Sequence, residues 1–283
     1  MTDKRSSAEF VVSSPRGHFD AENLWVEYSV VGGGSVLALR AVDLSVAEGE
    51  FVAIVGPSGC GKSTLLRVAC NLVPPTRGTV TIGGRSPAQA RAEHKVGVVF
   101  QSPTLLPWRT ALANTRLGLE LVRRTEGTRT PEEMLNLVGL SEFASAIPME
   151  LSGGMKQRVA IARALTLNPE VLLMDEPFGA LDEFTRAALG QELLRIWQAT
   201  GCTIVFVTHS IEEAVTLADR VVVMSARRGV VGEIEVGIPR PRGPLVMESE
   251  GWFAAAREVR KLLRGASAQA VRSEVTEGSP HNR

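Results

Sequence analysis

The stretch Gly56-Pro57-Ser58-Gly59-Cys60-Gly61-Lys62-Ser63-Thr64 decides how the chain is read. It follows the apolar run Phe51-Val52-Ala53-Ile54-Val55 and opens into Leu65-Leu66-Arg67-Val68-Ala69. This spacing predicts strand, glycine-rich turn and helix, the context in which G-x-x-x-x-G-K-[ST] is a phosphate loop. The glycines let the backbone curl so that successive N–H groups point inward, making an anion cradle at a helix N-terminus. Lys62 adds a point charge for the β- and γ-phosphates, and the Ser63 hydroxyl is placed to ligate Mg²⁺. A turn that merely joins strand to helix needs neither side chain in that order. The residues imply a nucleoside-triphosphate site.

The 283 residues suffice for one large α/β domain with a sub-domain, and 44% hydrophobic content supports a full core. Lys plus Arg and Asp plus Glu are each 31, for a formal net charge of zero. Surfaces that wrap DNA or RNA carry a basic excess, so nucleic acid is not expected as a partner. Cys60, Cys70 and Cys202 are scattered without metal-ligand spacing and read as reduced, buried thiols. No apolar run approaches the roughly 18 residues of a membrane span, and no signal-peptide core begins the chain. The polypeptide is therefore expected not to cross a membrane, though a partner can hold it on one.

Residues 1–19 are polar and Ser-rich and read as a disordered tail. Leu24-Trp25-Val26-Glu27-Tyr28-Ser29-Val30 alternates with period two, as a strand does. Gly32–Ser35 turns the chain into Leu37–Val46, a second strand, and Thr79–Ile82 extends the same antiparallel layer. Tyr28 has two readings: stacking on a purine ring, worth about 1–3 kcal/mol, or core packing.

Val96–Phe100 is another apolar strand, and it ends in Gln101, where α/β sheets bind ligands. The apolar Leu105-Leu106-Pro107-Trp108 follows, either locally packed or a partner-binding patch, and then a mostly helical stretch to about Leu140. In Leu151-Ser152-Gly153-Gly154-Met155-Lys156-Gln157-Arg158, Ser152 reads as an N-cap and the helix start as a second anion site. Val171–Met174 is a continuously apolar strand, as parallel strands buried on both faces are, and it ends in Asp175-Glu176. Two adjacent acids there are costly unless a cation or a water uses them. Asp175 suits Mg²⁺ ligation and Glu176 suits polarising an attacking water. Thr203–Thr208 is a strand with His209 at its end, on the same sheet edge as Gln101 and Glu176. Val221–Met224 and Val230–Val236 read as the last strands. Trp252, Phe253, Ala256, Val259, Leu262 and Leu263 then mark one helix face, and a second disordered tail is expected over 266–283.

Together these motifs resemble the nucleotide-binding subunit of an ATP-binding cassette (ABC) transporter over about residues 22–236. Walker A is Gly56–Ser63, the Q-loop residue Gln101, the signature Leu151–Arg158, and Walker B Val171–Asp175 followed by the catalytic Glu176. The D-loop is Ala180-Leu181-Asp182 and the switch histidine is His209. The resemblance makes Tyr28 the adenine-stacking aromatic and adds Gln101 to Ser63 and Asp175 as a metal ligand. It implies a P-loop NTPase core of RecA-like type with an antiparallel β sub-domain and a helical signature sub-domain. On that basis the cassette spans residues 20–240, with its helical part at about 102–165 and an extension at 241–265 carrying the amphipathic helix. Leu105–Thr110, Asp175–Asp182 and Pro239-Arg240-Pro241-Arg242 are similar to nitrate, sulfonate and taurine importer ATPases. Ser210 after the histidine and Asn71 after Walker A depart from that pattern.

The family resemblance implies a head-to-tail homodimer that sandwiches two ATP molecules. Ser152, Gly153 and Gly154 of one chain then cap the nucleotide held by Gly56–Thr64 of the other, including Pro57, Ser58, Gly59, Cys60 and Gly61. Lys62 and Mg²⁺ neutralise charge, Glu176 activates water, and Gln101 and His209 position water and γ-phosphate. Hydrolysis is then expected to drive transmembrane permease subunits from the cytoplasmic face of the membrane, with a solute-binding protein engaged indirectly. The alternative, a soluble ABC ATPase of DNA repair or translation, brings long coiled coils, zinc modules or a second cassette, none of which the sequence carries. Residues after Val236 are too few for the β-barrel regulatory domain of some sugar importers.

Overall fold

The computed structural model describes residues 18–277 except 31, 123–126 and 227, and for 244 and 267–277 the backbone alone. In chain order the elements are β1 (Phe19–Ser29), β2 (Ser35–Val46), β3 (Phe51–Val55), α1 (Lys62–Ala69), β4 (Arg77–Ile82), α2 (Pro87–Ala92) and β5 (Val96–Val99). There follow α3 (Ala111–Leu121), α4 (Pro131–Leu137), α5 (Gly153–Leu165), β6 (Val171–Asp175), α6 (Glu183–Thr200) and β7 (Thr203–Val207). The last are α7 (Ile211–Leu217), β8 (Arg220–Ser225), β9 (Gly229–Glu235) and α8 (Glu250–Glu277).

Strands β2-β1-β4 form an antiparallel sheet. The larger sheet has the order β5-β6-β7-β3-β8-β9, parallel except for β9. Its central strands are buried on both faces, which is why they read as unbroken apolar runs. Alternate residues divide between two cores. Phe51, Ala53, Leu172, Met174, Ile204 and Phe206 pack with α5 to α8. Val52, Ile54, Leu173, Val205, Val207 and Met224 face α1 and the antiparallel sheet. Four neighbouring strands, β5, β6, β7 and β3, thus present their carboxyl ends along one edge.

Helices α3 and α4 pack beside α5, within the stretch to about Leu140 that the sequence pattern predicts to be mostly helical. Cys60, Cys70 and Cys202 are buried free thiols, as their scatter implied. Helix α8 buries Trp252, Ala256 and Val259 but leaves Phe253 52% exposed, so Phe253 does not belong to the predicted inner face. The backbone of α8 is helical to Glu277, past the point at which the sequence reading begins a tail. Residues 1–17 and 278–283 of the predicted tails lie outside the described residues.

Between β9 and α8 the chain grips the end of α7. The last carbonyls of any helix lack partners within it. Here Arg242 Nη1 donates to the carbonyls of Val215 (3.2 Å), Thr216 (3.2 Å) and Ala218 (2.7 Å). Its Nη2 donates to the Val236 (3.1 Å) and Ile238 (3.2 Å) carbonyls. Arg240 closes the set at the Leu217 carbonyl, pairs with Asp219 and stacks 4.3 Å from the Trp197 ring centre. A cation is favoured at a helix C-terminus, and Arg242 is only 4% exposed. Burial lowers the Arg242 pKa to about 10, with the Arg240 charge adding to the effect. Arg242→Ala orphans these carbonyls and should cost about 3 kcal/mol, or roughly 6–12 °C in melting temperature. A melting curve coincident with wild type would show that solvent replaces the guanidinium.

Candidate functional site

The glycine-rich loop leaves β3 and enters α1 with its backbone drawn tight. A Cβ on Gly56 would lie 2.5 Å from the Met224 carbonyl oxygen and 2.7 Å from Cys60 Sγ. Gly61 has φ +103°, and a Cβ there would meet Leu39 Cδ2 at 2.4 Å and the Ala38 carbonyl oxygen at 2.5 Å. Both positions therefore demand glycine for space, and Gly61 also for its left-handed backbone. Helix α1 begins at Gly61 with no side-chain cap, whereas Ser152, Asp182 and Ser210 cap α5, α6 and α7. Its first-turn N–H groups are left for an anion. Lys62, 6% exposed, folds back over the loop, its Nζ donating to the Gly56 carbonyl (2.8 Å) and the Pro57 carbonyl (3.1 Å).

Beside the loop, Ser63 Oγ donates to Asp175 Oδ1 at 3.0 Å, joining the start of α1 to the end of β6. Burial pushes the Asp175 carboxyl above its ordinary value, and the Ser63 hydrogen bond offsets part of the rise. A hydroxyl and a carboxylate in contact are hard oxygen donors, and Mg²⁺ is commonly held by one or two carboxylates plus substrate phosphates. The donor set fits that ion.

Glu176 adopts φ +47°, a strained conformation for a side chain before proline. Two backbone bonds hold it there: Glu176 N–H to the Val207 carbonyl (2.9 Å) and Gly179 N–H to the Glu176 carbonyl (3.0 Å). Its Oε2 lies 3.3 Å from His209 Nδ1, so the ends of β6 and β7 meet. Gln101 is placed by a different contact, since a Cβ on Gly179 would lie 3.0 Å from its side-chain nitrogen. Ser152 accepts from Met155 N–H (3.3 Å), and both Ser152 and Gly153 are exposed, on α5 rather than in the cradle. Tyr28, paired across strands with Val36, packs against the core that contains Leu39 and Cys60. Its phenol oxygen is buried without a hydrogen-bond partner.

Two buried polar residues escaped the sequence reading. Gln157, 1% exposed, donates to the Phe100 carbonyl (3.1 Å) and ties the signature helix to the residue before Gln101. Asn114, fully buried, accepts from Leu106 N–H and donates to the carbonyls of Leu106, Arg109 and Thr110. The signal for Gln157 was its place inside the signature. A single Asn in a helical stretch gave none.

The description "ABC transporter" belongs to the family model that matches residues 39–179. An uncharacterized ABC transporter ATP-binding protein of Methanocaldococcus jannaschii is 50% identical over 213 residues, 74% of this chain and 79% of its own length. The taurine import ATP-binding protein of Rhizobium johnstonii is 50% identical over 201 residues, 70% of this chain and 76% of its own. A nitrate import ATP-binding protein of Synechocystis is 44% identical over 241 residues, 82% of this chain and 90% of its own. Among solved structures, a dimeric ATP-binding cassette in a post-hydrolysis state with ADP and Pi matches with TM-score 0.66 at 36% identity. That match covers 77% of this chain and 98% of the other. The chain belongs to the ABC transporter family and is one of its ATPase cassettes.

The loop geometry separates two substitutions. Gly61→Ala adds both crowding and strain and should destabilise the fold by at least about 2 kcal/mol while abolishing nucleotide binding. Gly59→Ala, at φ +77° but with nothing within 4 Å of its Cβ, should cost only the conformational strain, about 1–2 kcal/mol. Thermal melting and calorimetric titration with ATP read both effects, and equal losses would sink the crowding account.

Proposed function

We propose that this chain is the ATP-hydrolysing subunit of an importer for a small solute such as nitrate or taurine. The observation that carries the catalytic part is the convergence of Lys62, Ser63, Asp175, Glu176 and His209 at adjacent strand ends. The importer part rests on the names of the taurine and nitrate import relatives, which lend the alternative of DNA repair or translation no support. Lys62 exchanges the Gly56 and Pro57 carbonyls for phosphate oxygens, and the open N–H groups of α1 hold the anion. Ser63, Asp175 and Gln101 would hold Mg²⁺, which would supply charge neutralisation for the β- and γ-phosphates. Glu176 takes the proton of the attacking water, and His209 and Gln101 position that water and the γ-phosphate. Tyr28 offers its ring to the adenine.

Ser152 and Gly153 are exposed at the start of α5, outside the cradle of their own chain, which favours a head-to-tail homodimer in which they cap the partner's ATP. The cassette core is residues 20–240, with residues 102–165 as its helical part. The chain sits at the cytoplasmic face of the membrane through permease subunits, and a solute-binding protein acts through them. No helix among the described residues is long and apolar enough to cross a membrane.

Glu176→Gln keeps shape but removes the base. ATP turnover should fall at least about 100-fold, the order attributed to general-base catalysis, while ATP binding persists. Gel filtration with ATP should then give a dimer; a mutant that hydrolyses at the wild-type rate, or stays monomeric, contradicts the mechanism.

The permease contact is assigned to the loop after Gln101. Trp108 is 76% exposed, as an interface anchor must be before assembly, while Leu105 is half-buried and packs against the helix-side core. Asn114 holds the Leu106–Thr110 backbone, and Arg163 holds the carbonyls of Pro103 (2.8 Å) and Thr104 (2.9 Å). Trp108 is thus displayed on a fixed loop. Trp108→Ala should leave melting and basal ATPase near wild type and weaken assembly with the permease by about 2 kcal/mol, roughly 30-fold. A drop in melting temperature without loss of assembly reverses the assignment.

A further inference from the structure

The loop ahead of α6 and the turn that carries His209 are joined by a chain of part-buried contacts. Arg186 Nη2 donates to the Leu181 carbonyl at 3.0 Å. Its Nε is buried without a hydrogen-bond partner and lies 3.4 Å from Glu213 Oε1 in α7. The other oxygen, Glu213 Oε2, accepts from Thr208 Oγ1 at 2.5 Å. That same hydroxyl oxygen accepts from Ser210 N–H at 3.0 Å. The residues on both sides of His209 are therefore fixed by one hydroxyl, and that hydroxyl by one carboxylate. Thr208 is 1% exposed and its N–H donates to the Ile54 carbonyl (3.1 Å), so the turn has little freedom except through Glu213.

At the other end, Leu181 Cδ2 would lie 3.2 Å from a Cβ on Gly153, and Thr185 Cγ2 2.7 Å from one on Gly154. Leu181 and Thr185 thus lie close against the start of α5, in the space that the two glycines leave open. Helix α7 itself needs no such chain for stability, because Ser210 already caps it by accepting from Glu213 N–H at 3.2 Å. A partly exposed ion pair such as Arg186–Glu213 is weak support for a fold, since solvent screens it.

We propose that Arg186 and Glu213 are positioning residues for His209, relaying the position of Leu181 and the start of α5 to the histidine. The inference rests on the reading of His209 as the residue that places the γ-phosphate and water. Movement at the start of α5 shifts Leu181, the Leu181 carbonyl carries Arg186, and Glu213 carries Thr208. His209 then meets Glu176 in register only when the start of α5 is seated. The effect falls on the rate, because neither residue touches the phosphate cradle.

The test uses the purified full chain as Arg186→Ala, Arg186→Lys, Thr208→Val, the Arg186→Ala/Thr208→Val double variant and His209→Ala. Arg186→Ala should lower kcat about tenfold, the scale of a modest misplacement, with ATP affinity within about twofold of wild type. Arg186→Lys should recover part of the rate. The double variant should be no slower than the slower single one, because residues in one network couple while independent sites add. Multiplying rate losses, or wild-type kcat in Arg186→Ala beside an inactive His209→Ala, overturns the relay. A fully active His209→Ala overturns the reading of the histidine, and the relay with it. If Arg186→Ala does not fold, Thr208→Val against Arg186→Lys gives the same comparison.

Discussion

The pairing of β3 between β7 and β8, with β6 on the far side of β7, sets the register on which everything else depends. Parallel strands end together. Val55, Asp175 and Val207 therefore bring the phosphate loop, the paired acids and the histidine to one edge without any of them being near another in sequence. The same pairing requires cover on both faces, which the antiparallel sheet with α1 supplies on one side and α5 to α8 on the other. A cassette of this kind has little latitude in its core strands and much in the loops beyond their carboxyl ends.

Those loops are not loose. Asn114 binds the Leu106–Thr110 backbone, Gln157 binds the Phe100 carbonyl, and Arg163 binds Pro103 and Thr104. Each is a side chain reaching from a helix to a main-chain group of the segment after β5. Buried polar groups of this type specify a conformation because leaving one unpaired costs about 1–3 kcal/mol. The segment between Gln101 and α3 is accordingly a rigid connector between the nucleotide edge and the surface that bears Trp108.

Where chemistry is local in sequence, it was legible. Gly56–Thr64, Asp175-Glu176 and the apolar strands before them carry their meaning within a few residues, because strand, turn and helix start are short-range events. The ordering of the strands, the swap that puts β3 at the centre, and the contacts of Asn114 and Gln157 depend on partners dozens of residues away. Periodicity misjudged Phe253, since a helix lying on a core end leaves its boundary residues half outside. Adjacency could not separate the two readings of Leu105–Trp108, because successive residues of a loop point different ways: Leu105 packs inward in part while Trp108 is exposed. Composition marks a tail from 266, whereas the backbone of α8 stays helical to Glu277, because low hydrophobicity does not by itself end a helix.

The buried guanidinium of Arg242 also completes hydrogen bonding well upstream of itself. Strand β9 stops at Glu235, and by strand count the domain is finished there. Yet the carbonyls of Val215, Thr216 and Ala218 remain without partners until the chain has returned past Ile238 to place Arg242 among them. A fusion junction or a protease cut between those points would separate α7, and the histidine ahead of it, from the residue that completes its hydrogen bonding. The hydrogen bonding of α7 thus depends on chain beyond the last strand, and a minimal fragment made for exchange between proteins has to carry the arginine with it.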